Sequence, residues 1–243
     1  QLQALTSAQI KAIEVADVAA LTATQLNKLS TLQVQALTTA QLVALTTAQI
    51  EALTTAQVAA LTTAQLVALE VTDVAALTAA QVVGLTTAQA GVLTSAQMAA
   101  LTVDQIAVLQ AADLAAVSTD AIVSLTTAQV AVLSAGQIAA LTTAQVAALE
   151  TADLAALSAE QIVAMSSTQI AVLSTAQLSK LTTDQVAALQ TADLVALTTA
   201  QLNALTSVQI QALTQAQIAS LTTAQIRNLE TVDLAALGSD QIA

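Results

Sequence analysis

Residues 52–69 read ALTTAQVAALTTAQLVAL, and the same eight-residue unit returns, with small changes, along the whole chain. An α-helix repeats its apolar face about every 3.6 residues and a β-strand every second residue. A strict period of eight matches neither of these periods. With position 1 set at Leu, the octads begin at Leu5 and continue without insertion or deletion to the octad of Leu237. The structure of a single octad therefore has to explain the period.

Each octad has a fixed pattern of residue types. Position 1 is Leu, position 2 is usually Thr or Ser, position 5 is Gln or Asp, and position 6 is Val, Ile or Leu, with few exceptions. Position 7 accepts residues as different as Lys11, Gln35, Glu51 and Arg227, so we interpret it as solvent-facing. The fixed apolar residues at positions 1 and 6 are predicted to form the core.

The polar positions of the octad predict a helix start. The Thr46 hydroxyl can accept a hydrogen bond from the backbone N–H of Gln49, and the Gln49 side chain can reach back to the N–H of Thr46. This is the capping box, and Leu45 and Ile50 occupy the two positions of the hydrophobic staple beside it. The residues that we assign as structural caps are Thr46, Gln49, Thr54, Gln57, Thr62, Gln65, Glu70, Asp73, Glu150, Asp153, Glu230 and Asp233.

The repeated caps predict an all-α solenoid of about thirty short helices, each about five to seven residues long and one per octad. Such short helices must pack on neighbours, because nucleation costs more than so few hydrogen bonds return. A β-solenoid is the alternative, but its corners favour Gly, Asn and Pro, and the chain has four Gly and no Pro. We expect residues 1–243 to form a single domain and to be part of a longer array.

The octads themselves vary with a second, longer period. Where position 5 is Asp, position 2 is Glu or Gln, which we interpret as a cap with exchanged roles. The pairs are Glu14/Asp17, Glu70/Asp73, Gln110/Asp113, Glu150/Asp153, Gln190/Asp193 and Glu230/Asp233. From Asp73 onward a pair recurs in every fifth octad. Either a unit of five octads was duplicated, or about five octads form one superhelical turn and stack the aspartates in a column.

The stacked aspartates are the only candidate metal site. They are Asp73, Asp113, Asp153, Asp193 and Asp233. Carboxylate oxygens are ligands that Ca²⁺ takes. A simpler interpretation is that acidic residues near helix N-termini interact favourably with the helix dipole. Packed helices also lie about 8–10 Å apart, too far for carboxylates of successive turns to share an ion. We therefore expect no cofactor, with calcium as the alternative.

Composition argues against several function classes. The chain has no His, Cys or Tyr, and its carboxylates repeat like structural residues, so we expect no enzyme activity. Four scattered basic residues and a net charge of −12 do not suit nucleic-acid binding. Polar residues interrupt every octad, so no membrane span is predicted. Regular Thr-Thr pairs suit ice binding, but we interpret the second Thr as a tolerated residue that varies too much for a regular face.

The array LTTAQVAALTTAQ resembles the octapeptide (LTTAQ[VIL]xA) repeat arrays of very large bacterial secreted or cell-surface proteins, which are adhesin-like in organisation. The resemblance covers the whole chain. It implies a spacer, stalk or scaffold and an extracellular or cell-surface setting, and it supplies no functional residues. The alternatives are a protein- or glycan-binding module and a calcium-stiffened stalk. The expected partners are adjacent repeats of the same chain or further copies of it.

Overall fold

The computed structural model describes residues 2–242 of the chain. A short 3-10 helix, Leu2–Ala4, precedes thirty α-helices of four to six residues, and residues 2–242 contain no strand. The prediction of an all-α solenoid with one helix per octad is confirmed, although the helices are one residue shorter than expected. The β-solenoid alternative is wrong. None of these helices has both the length and the apolar character that crossing a membrane requires.

The chain divides into two compact units, residues 1–125 and residues 126–243. The helices of unit 1 are α1 (Ser7–Ala12), α2 (Val15–Ala19), α3 (Ala23–Leu26), α4 (Thr31–Ala36), α5 (Thr39–Val43), α6 (Thr47–Glu51), α7 (Thr55–Ala60), α8 (Thr63–Ala68), α9 (Val71–Ala75), α10 (Ala79–Val83), α11 (Thr87–Ala90), α12 (Ser95–Ala100), α13 (Val103–Val108), α14 (Ala111–Ala116) and α15 (Thr119–Val123). The helices of unit 2 are α16 (Thr127–Ala131), α17 (Ala135–Ala140), α18 (Thr143–Ala148), α19 (Thr151–Ala156), α20 (Ala159–Ala164), α21 (Ser167–Ala171), α22 (Thr175–Leu178), α23 (Thr183–Ala188), α24 (Thr191–Ala196), α25 (Thr199–Leu202), α26 (Ser207–Ala212), α27 (Gln215–Ser220), α28 (Thr223–Arg227), α29 (Thr231–Ala236) and α30 (Ser239–Ile242). Both units are built from the same octad, and the expectation of a single domain over residues 1–243 stays a prediction.

Capping boxes begin most of the helices. Thr46 has an extended backbone, with φ −74° and ψ 155°, and its hydroxyl accepts from the N–H of Gln49 at 3.3 Å. The Gln49 Oε1 accepts in return from the N–H of Thr46 at 2.6 Å. The pairs Thr54/Gln57 and Thr62/Gln65 have the same geometry. One such cap stabilises a helix by about 0.5–2 kcal/mol.

The six-residue helices are capped at position 1 of the following octad, and the shorter helices one or two residues earlier. The N–H of Leu61 donates to the carbonyl of Val58 at 3.1 Å, and Leu61 then turns to φ −56° and ψ 137°. These backbone angles are not helical, so the chain bends there and the next Thr begins a new helix. The octad is thus a short helix followed by a bend, which explains the period of eight.

Within each unit, helices pack on the helices three octads away along the chain. In unit 1, α4 packs on α1 and α7; in unit 2, α20 packs on α17 and α23. Side chains also reach 28 to 31 residues back, which is less than four octads, as Gln57 reaches Leu29 and Leu26. A superhelix with five octads per turn is therefore wrong, because successive layers meet after three to four octads.

The core follows the octad positions. Leu66, at position 6, is 0 % exposed, and Leu61, at position 1, is 4 % exposed. Burying one such side chain contributes roughly 1.5–3 kcal/mol. Position 5 is also buried, although it is polar: Gln65 is 2 % exposed and Asp73 is 3 % exposed. A buried polar group needs hydrogen-bond partners, and the partners at position 5 define the candidate site.

Candidate functional site

Each inner glutamine at position 5 makes two kinds of hydrogen bond. The Gln57 Oε1 accepts from the N–H of Thr54 at 2.9 Å and so completes the cap of its own helix. The Gln57 Nε2 donates to the carbonyls of Leu26 and Leu29, both at 2.8 Å. Those carbonyls lie where an earlier helix ends, and helix ends leave carbonyls without an intrahelical partner. One amide therefore begins its own helix and satisfies the end of another helix.

This arrangement recurs throughout both units, and we call it the glutamine ladder. Its members are Gln33, Gln41, Gln49, Gln57, Gln65, Gln81, Gln89, Gln97 and Gln105 in unit 1, and Gln161, Gln169, Gln177, Gln185, Gln201, Gln209, Gln217, Gln225 and Gln241 in unit 2.

The capping pattern predicts only the first of these two roles of the glutamines. A signal was present, because position 5 is never Glu, although Glu completes a capping box as well as Gln does. Only the amide has N–H groups to donate.

The aspartates at position 5 have a different partner. From Asp73 onward, each accepts from a hydroxyl at position 3 of the octad three before it. The hydroxyl oxygen lies 2.7 Å from Oδ1 in the pair Thr87–Asp113, and 2.8 Å from Oδ1 in the pairs Thr127–Asp153, Ser167–Asp193 and Ser207–Asp233. Thr47 makes the corresponding hydrogen bond to Asp73. The interpretation of the second Thr as a merely tolerated residue is therefore wrong in these octads.

The predicted cap with exchanged roles, in which Glu or Gln at position 2 pairs with Asp at position 5, forms only in part. The side chains of Glu70, Glu150 and Glu230 form no capping hydrogen bond, so their assignment as caps is wrong. The aspartate half does exist in α24, where the N–H of Gln190 donates to the Asp193 Oδ2 at 2.8 Å. In α19 and α29 no capping box forms. The Oδ1 atoms of Asp153 and Asp233 accept from Thr127 and Ser207, and the Asp153 Oδ2 has no partner, so the assignment of these two aspartates as caps is wrong.

Glutamine at position 2 replaces part of the lost ladder. Asp has no N–H to donate, so its octad cannot supply the amide bonds of a ladder glutamine. The Nε2 groups of Gln110 and Gln190 instead donate to the carbonyls of Val83 and Val163, at 2.9 and 3.0 Å, each 27 residues earlier. Glu at the same position has no such donor, so the two classes of aspartate octad differ in their tertiary bonding.

The structure does not bring the predicted aspartate column together. Each octad packs against octads three to four away in the sequence, whereas the aspartates recur in every fifth octad. Among residues 2–242, no group of three acidic side chains is placed to hold a metal ion. The geometric explanation of the five-octad period is therefore wrong, and the stacked column of Asp73, Asp113, Asp153, Asp193 and Asp233, on which the calcium alternative depended, does not form. The expectation of no cofactor stays a prediction.

The buried aspartates carry an electrostatic cost. Burial raises the pKa of Asp73 above its ordinary value of 3.8, and the nearby Glu70 carboxylate raises this pKa further. The hydrogen bonds from Thr47 and from the backbone of Glu70 act in the opposite direction. At Asp113 and Asp153 the buried Oδ2 has no hydrogen-bond partner. The hydroxyl at position 3 is thus a principal compensation for burying each carboxylate.

We expect Thr47→Val to destabilise unit 1 by about 1.5–3 kcal/mol at neutral pH, because a hydrogen bond to a buried charge is lost. The raised pKa means that the folded state favours protonated Asp73. Stability from this group is present in acid and is lost as the pH rises through the raised pKa. The destabilisation by Thr47→Val should therefore shrink in acid. Urea unfolding at neutral and acidic pH measures it.

The matched control is Thr63→Val, also at position 3, because position 5 of the octad three further along is Gln89 and not an aspartate. This substitution should change the free energy of unfolding by about 0.5 kcal/mol or less. Equal losses in the two variants would show that the hydroxyl of Thr47 does not stabilise Asp73.

The same repeat is found when the chain is compared with known families. The family model described as the ALTTAQ repeat matches residues 10–47, 39–71, 66–103, 106–143, 146–183, 186–223 and 218–243. The chain belongs to the ALTTAQ repeat family. No curated protein matches the chain. In structural terms, the ALTTAQ letters hold the cap Thr, the position-3 Thr and the ladder Gln.

Four of the ALTTAQ matches begin at residues 66, 106, 146 and 186, which repeats the five-octad spacing of the aspartates. Since the geometric explanation fails, we interpret this spacing as duplication of a unit of five octads. The Thr or Ser that bonds each aspartate lies three octads before it and therefore recurs with the same spacing.

Proposed function

We propose that this chain is a non-enzymatic structural repeat module that acts as a spacer, stalk or scaffold in a large secreted or cell-surface protein. The glutamine ladder is the observation that carries the proposal. In octad after octad, the same amide bonds the carbonyl 28 residues earlier and a second one 30 or 31 residues earlier, as Gln57 bonds those 28 and 31 residues earlier and Gln201 those 28 and 30 residues earlier. The hydrogen-bonding groups of the ladder glutamines are thus used to hold the repeats together.

A spacer of this kind needs interchangeable repeats. In a solenoid, stability is approximately a sum of terms for each repeat and for neighbouring interfaces, so whole repeats can be gained or lost. The net charge of −12 also favours solubility and disfavours non-specific aggregation. The secreted or cell-surface setting rests on the resemblance to adhesin-like octapeptide arrays.

Deletion of one unit of five octads tests interchangeability. Removing residues 146–185 joins Gln145 to Val186, restores the sequence LTTAQVAAL and moves Asp193 to the place of Asp153. We expect this variant to keep its helix content per residue and its cooperative melting by circular dichroism. Removing residues 146–181 breaks the octad register and is the matched control. It should lose cooperative melting, because cap, ladder and core positions no longer align.

Loss of folding in both deletion variants would contradict interchangeable repeats. Binding to a protein or glycan array tests the function itself. A spacer predicts no saturable binding by the full chain. Saturable binding that disappears on deletion of residues 146–185, with folding intact, would replace the spacer with a binding module.

A further inference from the structure

The glutamine ladder is interrupted at α9. Gln57 in α7 donates to the carbonyls of Leu26 and Leu29, which lie 31 and 28 residues earlier. The residue of α9 at the same octad position is Asp73, and the residue 28 positions before it is Leu45. A carboxylate has no N–H to donate, so α9 lacks the ladder bonds to the layer that contains α6, on which it packs.

The contacts that replace these bonds at α9 are weaker. Thr47 donates one hydrogen bond to Asp73, and the Glu70 side chain makes no capping bond. Asp73 is 3 % exposed, and burial raises its pKa, as does the neighbouring Glu70 carboxylate. The joint between α9 and the layer before it therefore has one hydrogen bond to a buried carboxylate in place of two from a neutral amide.

Two other octads of unit 1 have no ladder glutamine at an inner position 5, but they compensate better. In α14, Gln110 at position 2 donates to the carbonyl of Val83 at 2.9 Å. In α15, position 5 is Ala121, which buries no charge, and Ser124 donates to the carbonyl of Ser95 at 2.8 Å. From α4 to α15, α9 therefore has the weakest polar contact with the layer before it.

We propose that the octad of α9, residues 69–76, is a yielding joint, the place where the layers of unit 1 separate first. In a solenoid each repeat and each interface contributes its own share of the stability, so one weak interface can open while its neighbours stay packed. An octad released from its layers can extend to about 26–29 Å. From α9 onward, the Glu/Asp pair of the joint recurs in every tenth octad, at Glu150/Asp153 and Glu230/Asp233.

A yielding joint lets a spacer lengthen under load while its other layers keep their fold. The joint is a property of the layers, however, and a binding module with this fold would contain it as well. Its failure therefore leaves the spacer proposal standing, and failure of the spacer proposal leaves the joint.

The reaction of single cysteines with a thiol reagent tests the joint, because the chain has no cysteine of its own. Val74 in α9 and Val58 in α7 both occupy position 6, are 0 % exposed, and have carbonyls that a later ladder glutamine bonds. A cysteine at such a buried position reacts when its octad opens. Val74→Cys should react about tenfold faster than Val58→Cys, since each hydrogen bond changes an opening equilibrium by a factor of roughly 2–10.

Rebuilding the ladder at the joint should remove this difference. Glu70→Thr with Asp73→Gln changes residues 69–73 to LTVTQ, which has the capping pattern and a ladder glutamine. Added to Val74→Cys, this pair of substitutions should slow the reaction to the rate of Val58→Cys.

Glu70→Gln separates bonding between layers from capping. Gln at position 2 makes no side-chain cap bond in α14, but Gln110 bonds the carbonyl 27 residues earlier. The residue 27 positions before Glu70 is Val43. In the Val74→Cys chain, Glu70→Gln should therefore slow the reaction by a factor of roughly 2–10, although the helix gains no cap.

The matched control transfers the joint to α7. Thr54→Glu with Gln57→Asp places the Glu/Asp pair in a ladder octad, and Thr31 supplies a hydroxyl 26 residues before position 57, the spacing found at the joint. Added to Val58→Cys, these substitutions should speed the reaction about tenfold.

Equal reaction rates of Val74→Cys and Val58→Cys would overturn the proposal, and so would a rate of Val74→Cys that Glu70→Gln leaves unchanged. Circular dichroism verifies that each variant folds. Amide hydrogen exchange of the unsubstituted chain gives a second readout that needs no variant. The amides of Val71–Ala75 should exchange about tenfold faster than those of Thr55–Ala60, and equal exchange would also contradict the joint.

Discussion

Gln65→Glu is expected to destabilise unit 1 by about 3–5 kcal/mol at neutral pH, the cost of an uncompensated buried charge. The wild-type Nε2 donates to the carbonyls of Val34 and Leu37 at 2.9 and 2.7 Å, and the side chain is 2 % exposed. In the variant a carboxylate oxygen faces both carbonyls, so two attractive contacts become repulsive. The cap is kept, because the other oxygen can still accept from Thr62.

The acid dependence of this variant follows from the same contacts. Burial against two carbonyls favours the protonated carboxyl, so the pKa of the new Glu in the folded state lies above its unfolded value. The variant should therefore recover stability in acid and lose it as the pH rises through that raised pKa. A protonated carboxyl restores one of the donated hydrogen bonds.

Gln25→Glu is the matched control, because Gln25 has the same capping box but is exposed at the N-terminal end. Glu suits a capping box, so this variant should unfold like the wild type. Urea unfolding of both variants at neutral and acidic pH measures the difference. If Gln65→Glu loses no more stability than Gln25→Glu, the ladder does not hold the layers together.

Leu66→Ser is expected to cost about 3–5 kcal/mol, because it removes a fully buried side chain and leaves a cavity. Leu66 lies at position 6 of α8, is 0 % exposed, and α8 packs on α11. Leu234→Ser changes the same octad position at the C-terminal end, where the side chain is 40 % exposed. Leu234→Ser should therefore lower the free energy of unfolding clearly less than Leu66→Ser does.

Thermal melts by circular dichroism compare the two leucine variants. Equal losses would mean that the local octad, and not packing between layers, stabilises position 6.

Both comparisons separate local from tertiary stabilisation at one octad position. The capping boxes of Gln25 and Gln65 are alike, and the leucines at 66 and 234 occupy the same place in their octads. The glutamine comparison keeps the capping box constant, whereas the leucine comparison also includes the missing capping box of α29. The contrast between Gln25 and Gln65 therefore measures most directly what tertiary packing adds to a capped octad.

Local structure was predictable because its causes lie within one octad. Thr46 and Gln49 are three residues apart, so the geometry of a single helical turn brings their side chains together. The same applies to the bend after each helix and to burial of the apolar residues at positions 1 and 6. Repetition without slippage then ensured that one correct octad described nearly all of them.

The number of octads between layers was not predictable in this way. It depends on the bend at each cap, and small differences in those backbone angles add up over several octads. The sequence suggested five octads from the spacing of the aspartates. That spacing records duplication, and packing places layers three to four octads apart.

The residues of one octad are enough to specify an array of short capped helices with apolar residues at fixed positions, because these features arise from contacts within that octad. Packing between layers is needed to specify that the Gln57 amide bonds Leu26 and Leu29, and that Thr87 bonds Asp113. These partners lie three to four octads apart, a separation that no local rule fixes. The reach of one side chain across adjacent layers selects them, and that reach is defined only after the superhelix has formed.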